Sequence, residues 1–282
     1  MLKTVKPAQG SRKRLATVAI ICTLLTSGIT TTSAQAKVKC PKVSSKGIVS
    51  PAASPNVNWS KCNLKGASLV QADLRFAKLD GANLTGANLT RAQLDSTSLI
   101  KANLSKAKLK TAYLTRANLS GANLSLALLN DADISDAHFE SAKLPGAKMI
   151  DAMAQSAFFN KADLTGADLS EADFKNAYLP GASLNGAKMV HVSLIEARLT
   201  GAKLVGANLS KANLEFAGLG GANFSRANLT YANLNDSYLE NTNFSNANLS
   251  HASFMDAHVN SGVNMTGVKH IDVTGWPYVW PG

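Results

Sequence analysis

From residue 57 to residue 261 the chain sets a large apolar residue at every fifth position, a small residue two before it, and polar residues at the other three. Taking the Leu of GANLT (residues 81–85) as a centre, further centres fall at 64, 69, 74 and onward to Val259 with no insertion, forty in all. Most are Leu. The variants are Ile134, Phe139, Met149, Phe159, Phe174, Met189, Phe224, Phe244, Phe254 and Val259, and Ala154 is the one small centre. The small slot is nearly always Ala, and its exceptions, Cys62, Thr97, Val192, Ser237 and Thr242, stay small.

A helix advances about 100° per residue, so a five-residue step would carry successive centres around its whole surface. A strand alternates faces at each residue, so half of the centres would point into water. The period fits a chain that turns a corner every five residues, with centre and small slot facing inward. Stacked coils of that kind bury a continuous column of Leu. The A-[N/D]-L-x-x pattern, in phase over 57–261, resembles the pentapeptide-repeat family. The resemblance implies an all-β fold, a right-handed quadrilateral β-helix with four pentapeptides per coil, about ten coils and a solenoid roughly 48 Å long at about 4.8 Å per coil.

If four repeats make a coil, residues twenty apart stack, and outward positions can be sorted into columns. Listing the residue just before each centre gives three largely polar columns, such as Asn63, Asn83, Asn103 and Asn123. The fourth reads Lys78, Ser98, Asn118, His138, Phe158, Tyr178, Arg198, Gly218, Tyr238 and His258, and is expected to collect most of the exposed rings. Its middle, His138, Phe158, Tyr178 and Arg198, spans roughly 15 Å at about 4.8 Å per coil. Aromatic residues and Arg are what protein interfaces enrich, so this strip is the candidate contact face; rings that merely support neighbouring strands are the competing reading. Asp163, Asp168 and Asp173 fall on different sides, whereas Asp131, Asp151 and Glu171 share one outward position on consecutive coils. Like charges stacked so closely repel, which makes that corner either a solvated acidic ladder or a weak calcium candidate. No other metal set and no cofactor site is expected: the five histidines show no ligand spacing.

The ends need protection, since open coils expose Leu and unpaired edges. Val57 and Trp59 keep the inward phase, so Trp59 is expected to floor the column. At the far end VNMTG (263–267) reads as one more repeat displaced by one residue, and the following tail carries Trp276, Tyr278 and Trp280 as a cap over the last coil or a docking segment for another subunit. The expected division is a signal peptide at 1–36, an irregular leader at 37–56, the repeat solenoid at 57–264 and a capping tail at 265–282.

The signal assignment rests on a basic start, MLKTVKPAQGSRKR, an apolar run too short to span a bilayer comfortably, and Ala34-Gln35-Ala36 as a cleavage pattern. Cleavage there leaves an exported chain with no stable membrane insertion, in the periplasm, outside the cell or in an equivalent lumen. It also removes five bases and no acid, lowering the formal net charge from +11 to +6, too mild a balance to suggest nucleic-acid binding. Cys40 and Cys62 remain in an oxidising compartment and are expected to pair rather than stay free.

The N-L-[S/T] triplets match a glycosylation acceptor only because the repeat demands polar-Leu-polar. GLGGAN (218–223) fails the dinucleotide fingerprint, and GASLNGAKM (181–189) lacks the Gly-Lys-Ser/Thr ending of a phosphate loop. With no nucleophile and base in evidence, the expected function is a non-enzymatic exported scaffold acting on an unknown protein partner or by self-association. DNA mimicry toward gyrase, known in the family, is disfavoured by the basic charge and the signal; a polysaccharide-acting β-helix enzyme would need carboxylates converging on a groove.

Overall fold

The computed structural model describes residues 38–259 and 262–276. Each residue just before a centre forms a parallel bridge with its counterpart twenty residues on, from Asn58 with Lys78 through Tyr238 with His258. Four pentapeptides therefore close one coil. The centres and small slots stack inside: Leu64 to Phe254 and the intervening Ala residues, apart from the partly buried Ala72, are almost wholly buried in one continuous core. The three polar exceptions in the small slot keep their partners, with the Thr97, Ser237 and Thr242 hydroxyls donating to the carbonyls of Leu74, Leu234 and Leu219.

Each corner is a four-residue turn. The Ala67 N–H donates to the Leu64 carbonyl at 3.0 Å, and the third residue of that turn, Gly66, has φ of 66°. Positive φ at the third position is the mark of a type II turn. The same conformation recurs two residues after every centre from Leu64 to Phe254, on glycines and on many other side chains, and among the described non-glycine residues that adopt it Thr111 alone is β-branched. Branching at Cβ is what the left-handed region tolerates least. Gly186 isolates this effect, because a Cβ there would meet no atom within 4 Å. Gly186→Val is expected to lower stability by about 1–2 kcal/mol through the backbone alone, with Gly186→Asn clearly milder, as read by urea unfolding.

Four of the five N–H groups of a repeat are satisfied by backbone. In the repeat around Leu84, the N–H of Asn83 donates down to Cys62, those of Leu84 and Gly86 donate up to Asn103 and Ser105, and that of Ala82 closes the turn to Leu79. The fifth, on Thr85, has no carbonyl and donates instead to Asn83 Oδ1 at 3.2 Å, joined by the Thr85 hydroxyl at 2.7 Å. This side-chain turn is why Asn or Asp precedes the centre and Ser or Thr follows it so often. It also gives the N-L-[S/T] triplets a structural reason. The same amides ladder between coils, as in Asn83 Nδ2 to Asn63 Oδ1 at 3.1 Å and Asn233 Nδ2 to Asn213 Oδ1 at 3.2 Å.

The leader is not irregular. β1 (Lys42–Val43) pairs antiparallel with β2 (Val49–Ser50), and the hairpin tip is bonded to the first coil by Ser68 N–H donating to the Gly47 carbonyl at 2.8 Å. Gly47 is buried with φ of 80°, and an added Cβ would stand 2.8 Å from the Gly66 carbonyl oxygen, so the hairpin closes onto the coil only with glycine there. Val43, Val49, Ala53 and Val57 pack against the core end, and Trp59 is buried as its floor. Cys40 and Cys62 form a disulfide with Cα atoms 5.4 Å apart, which ties the leader to the first full repeat.

At the other end the register slips by one residue, and Asn243, Asn248 and Ser253 pair with Asn264, Lys269 and Thr274. The coil stack thus continues to Thr274, beyond the expected boundary at 264, because one inserted residue is absorbed without breaking the pairing. Trp276 packs edge-on against Phe254 with ring centroids 5.1 Å apart, as a cap should. Residues 1–36, Tyr278 and Trp280 lie outside the described residues.

Candidate contact face

His138, Phe158, Tyr178 and Arg198 are brought together as the column arithmetic requires, each bridged to the next through its backbone. Their side chains form one stack. The His138 and Phe158 rings lie 4.7 Å apart and 4° from parallel, Phe158 and Tyr178 lie 5.0 Å apart at 13°, and the Arg198 guanidinium carbon sits 5.1 Å over the Tyr178 ring. Phe158 is consequently not the freely exposed ring expected from its outward slot. It is half-buried between its neighbours, and the exposed part is the ring edge. None of these four residues is Asn or Asp, so the side-chain turn that Asn118 makes one coil below, with the Ser120 N–H donating to Asn118 Oδ1 at 3.0 Å, is absent from the strip.

The lower end of the strip is anchored: His138 Nδ1 lies 2.9 Å from Glu140 Oε1. Partial burial pushes the Glu140 carboxyl up, but hydrogen bonds from His138, its own backbone and Ser120 outweigh this and hold it below the usual carboxylate range. The upper end opens into a depression of about 530 Å³ lined by Tyr178, Arg198, Gly218 and Tyr238 and, at the adjoining corner, by Asn176, Glu196 and Phe216. The column does not hold most of the exposed rings, however. Phe76, Tyr113, Phe216 and Tyr231 are about half exposed at other outward positions. What distinguishes the strip is continuity over four coils, which a count of rings along the sequence does not measure.

The acidic corner is open to solvent. Asp131, Asp151 and Glu171 occupy the left-handed turn position on successive coils with φ of 56°, 55° and 61°, all exposed. Asp131 Oδ2 lies 3.7 Å from Lys110 Nζ, and the neighbouring Asp173 accepts from Gln155 Nε2 at 2.6 Å. Among the described residues no group of three or more His, Cys, Asp or Glu is placed to hold a metal ion. Asp163, Asp168 and Asp173 pair with Ser183, Lys188 and Ser193 on separate sides, as expected. Burial pushes the Asp168 carboxyl up, but Ser170 hydrogen bonds and the Lys188 charge, 3.5 Å away, together hold it below the usual range. Among the described residues no helix is long and apolar enough to cross a membrane.

No curated protein matches the chain. Among solved structures, it is similar to HetL, a pentapeptide repeat protein involved in heterocyst differentiation regulation from the cyanobacterium Nostoc sp. strain PCC 7120, at 29% identity over 76% of this chain and 87% of that one, with a TM-score of 0.28. A pentapeptide repeat protein from the Arabidopsis thaliana thylakoid lumen matches at 36% identity over 35% of this chain and 66% of that one, with a TM-score of 0.23. QnrB1, a plasmid-mediated fluoroquinolone resistance protein, matches at 18% identity over 78% and 92%, with a TM-score of 0.32. A family model for pentapeptide repeats (8 copies) matches overlapping segments running without a break from residue 56 to residue 260. With that match over well more than half of its length, and with the four-sided coil in its backbone, the chain belongs to the pentapeptide repeat family and is a right-handed quadrilateral β-helix.

Proposed function

We propose that this protein is an exported, non-enzymatic scaffold that binds a partner protein, or a second copy of itself, through the side bearing His138, Phe158, Tyr178 and Arg198. The carrying observation is the unbroken stack of three rings and a guanidinium, which forgoes the side-chain turn found on the polar columns. Such a stack is rigid before contact, so a partner orders few side chains when it docks, and Tyr, Phe and Arg offer large contact area with directional edges. Coils in fixed register make the strip straight as well as stiff.

Export is supported by the basic segment, apolar run and A-x-A pattern of residues 1–36, and by the Cys40–Cys62 disulfide, a bond that persists in oxidising compartments. The test is Phe158→Ser combined with Tyr178→Ser in the mature chain. The variant is expected to remain folded but to lose self-association in analytical ultracentrifugation, or to capture at least tenfold less partner from the exported fraction. A folded variant with both properties unchanged would mean that the stack only braces neighbouring coils.

A further inference from the structure

The column carrying the strip has one missing rung. Below it Arg198 covers Tyr178, and above it Tyr238 stacks on His258 with ring centroids 4.4 Å apart, but Gly218 between them contributes no side chain. The backbone does not falter there. The Gly218 N–H donates to Ala197 at 2.9 Å and its carbonyl accepts from Leu199 at 2.7 Å, as at every other rung. Nor does the fold demand glycine: Gly218 is not among the positive-φ residues, and an added Cβ would meet nothing closer than the Ala197 carbonyl oxygen at 4.0 Å. A side chain would fit in both conformation and space, yet none is present, and the space it leaves is part of the depression of about 530 Å³.

We propose that the gap at Gly218 is a slot for one planar aromatic side chain of a partner polypeptide, stacked between Arg198 and Tyr238, with a carboxylate next to that ring meeting the edge of the Arg198 guanidinium. The dimension selects the occupant. Residues two coils apart stand about 9.6 Å apart at about 4.8 Å per coil, so a ring midway would sit near the 4.4–5.0 Å spacing that the ladder's own rings keep. A branched aliphatic side chain is too thick to lie flat there and would leave both faces poorly covered. The charge selects the neighbour. The Arg198 guanidinium carbon lies over the Tyr178 ring, and no carboxylate pairs with it among the described residues, whereas Glu196 at the adjoining corner already has Lys175 at 4.0 Å. The donor edge of the fork is therefore available to an incoming carboxylate. Phe216, exposed at the slot's side, adds an apolar wall. Rigid aromatic and Arg anchors around a central pocket are the usual core of a protein contact.

The inference rests on the reading of this side as the contact face, so its test separates the two. The mature protein is titrated with acetyl-Asp-Trp-amide and with acetyl-Asp-Leu-amide while side-chain NMR signals of Arg198 and Tyr238 are followed. Saturable ring-current shifts with the Trp probe, at least fivefold tighter than any response to the Leu probe, are expected. Gly218→Phe, which supplies the missing rung from within, is expected to fold with an unlowered melting temperature and to weaken Trp-probe binding at least tenfold. Arg198→Met keeps an unbranched side chain at the rung without the charged fork, and it too should weaken binding; this second variant serves if Gly218→Phe does not fold. No saturable shift, equal binding of both probes, or Trp-probe binding unchanged in the variants would overturn the slot. Partner capture that survives Gly218→Phe but is lost with Phe158→Ser/Tyr178→Ser would also overturn it while leaving the face intact. Probe binding and partner capture both lost in Gly218→Phe, with capture indifferent to Phe158→Ser/Tyr178→Ser, would instead support the slot and remove the ring stack below it from the contact face.

Discussion

Phe159→Ala is expected to lower the stability of the folded chain by about 3–5 kcal/mol, the range for emptying a buried aromatic site, and to do so at the upper end. Two contacts set the magnitude. The Phe159 ring stacks on Phe139 of the coil below at 4.7 Å, nearly parallel, and meets Phe174 of the next coil at 5.4 Å. Phe174 stands directly above Ala154, the one small centre, in a column that otherwise runs Leu114, Ile134, Ala154, Phe174, Leu194. Ala154 and Phe159 occupy adjacent corners of one coil, and both are fully buried. The oversized pair Phe159 and Phe174 thus occupies volume that a leucine at 154 would have filled. Removing the ring at 159 opens its own cavity and the space over Ala154 together, and neighbouring coils cannot collapse into it because their backbones are held in register by the parallel ladder. Phe159→Leu is expected to be more costly than an equal reduction in side-chain size at Leu119, where the adjacent centres, Leu114 and Leu124, are ordinary leucines. Denaturant midpoints of the two variants check this, and equal losses would remove the compensation between 154 and 159.

The periodic part of the fold is legible because one rule is imposed at every coil. Five-residue spacing excludes helix and strand, and the column arithmetic that follows from it brings His138, Phe158, Tyr178 and Arg198 together and separates Asp163 from Asp168. Local side-chain chemistry is less legible. Phe158 occupies an outward slot, but its exposure is decided by His138 and Tyr178 twenty residues away on either side, and spacing alone does not say how far rings will close over one another. The carboxylates at 131, 151 and 171 align on paper, yet they sit on turn residues whose side chains leave the coil into solvent, which no count of charges reveals. The leader shows a different limit. KVSSKGIVS carries no period, and only the tertiary contact of Gly47 with the first coil explains its hairpin. The missing rung at Gly218 was visible in the column as a letter, but its meaning depends on a backbone that does not need glycine there.

Breaking the Cys40–Cys62 bond is expected to destabilise the mature chain by about 3 kcal/mol, because a cross-link spanning 22 residues removes that much loop-closure entropy from the unfolded chain. The loss should appear at the first coil. Cys62 is buried in the small inward slot where most repeats carry Ala, while Cys40 lies just ahead of the hairpin that closes the open end over Trp59. A solenoid unfolds most readily from an unprotected terminus, since each coil is stabilised mainly by its neighbours. Freeing the leader lets β1 and β2 leave the core end, exposing Val43, Val49 and the rim of Trp59, and the first coil then has contacts on one side alone. Cys62→Ala paired with Cys40→Ser isolates the cross-link: alanine is the residue the slot ordinarily holds, so packing is preserved and the loss reports the bond. Hydrogen exchange on the double variant is expected to quicken at Gly66, Leu64 and Trp59 by two orders of magnitude or more, while amides near Leu164 and Leu184, at the middle of the stack, keep their protection. Uniform loss of protection along the solenoid would mean that the bond acts on the whole rod, and unchanged exchange at the first coil would mean that the hairpin holds without it.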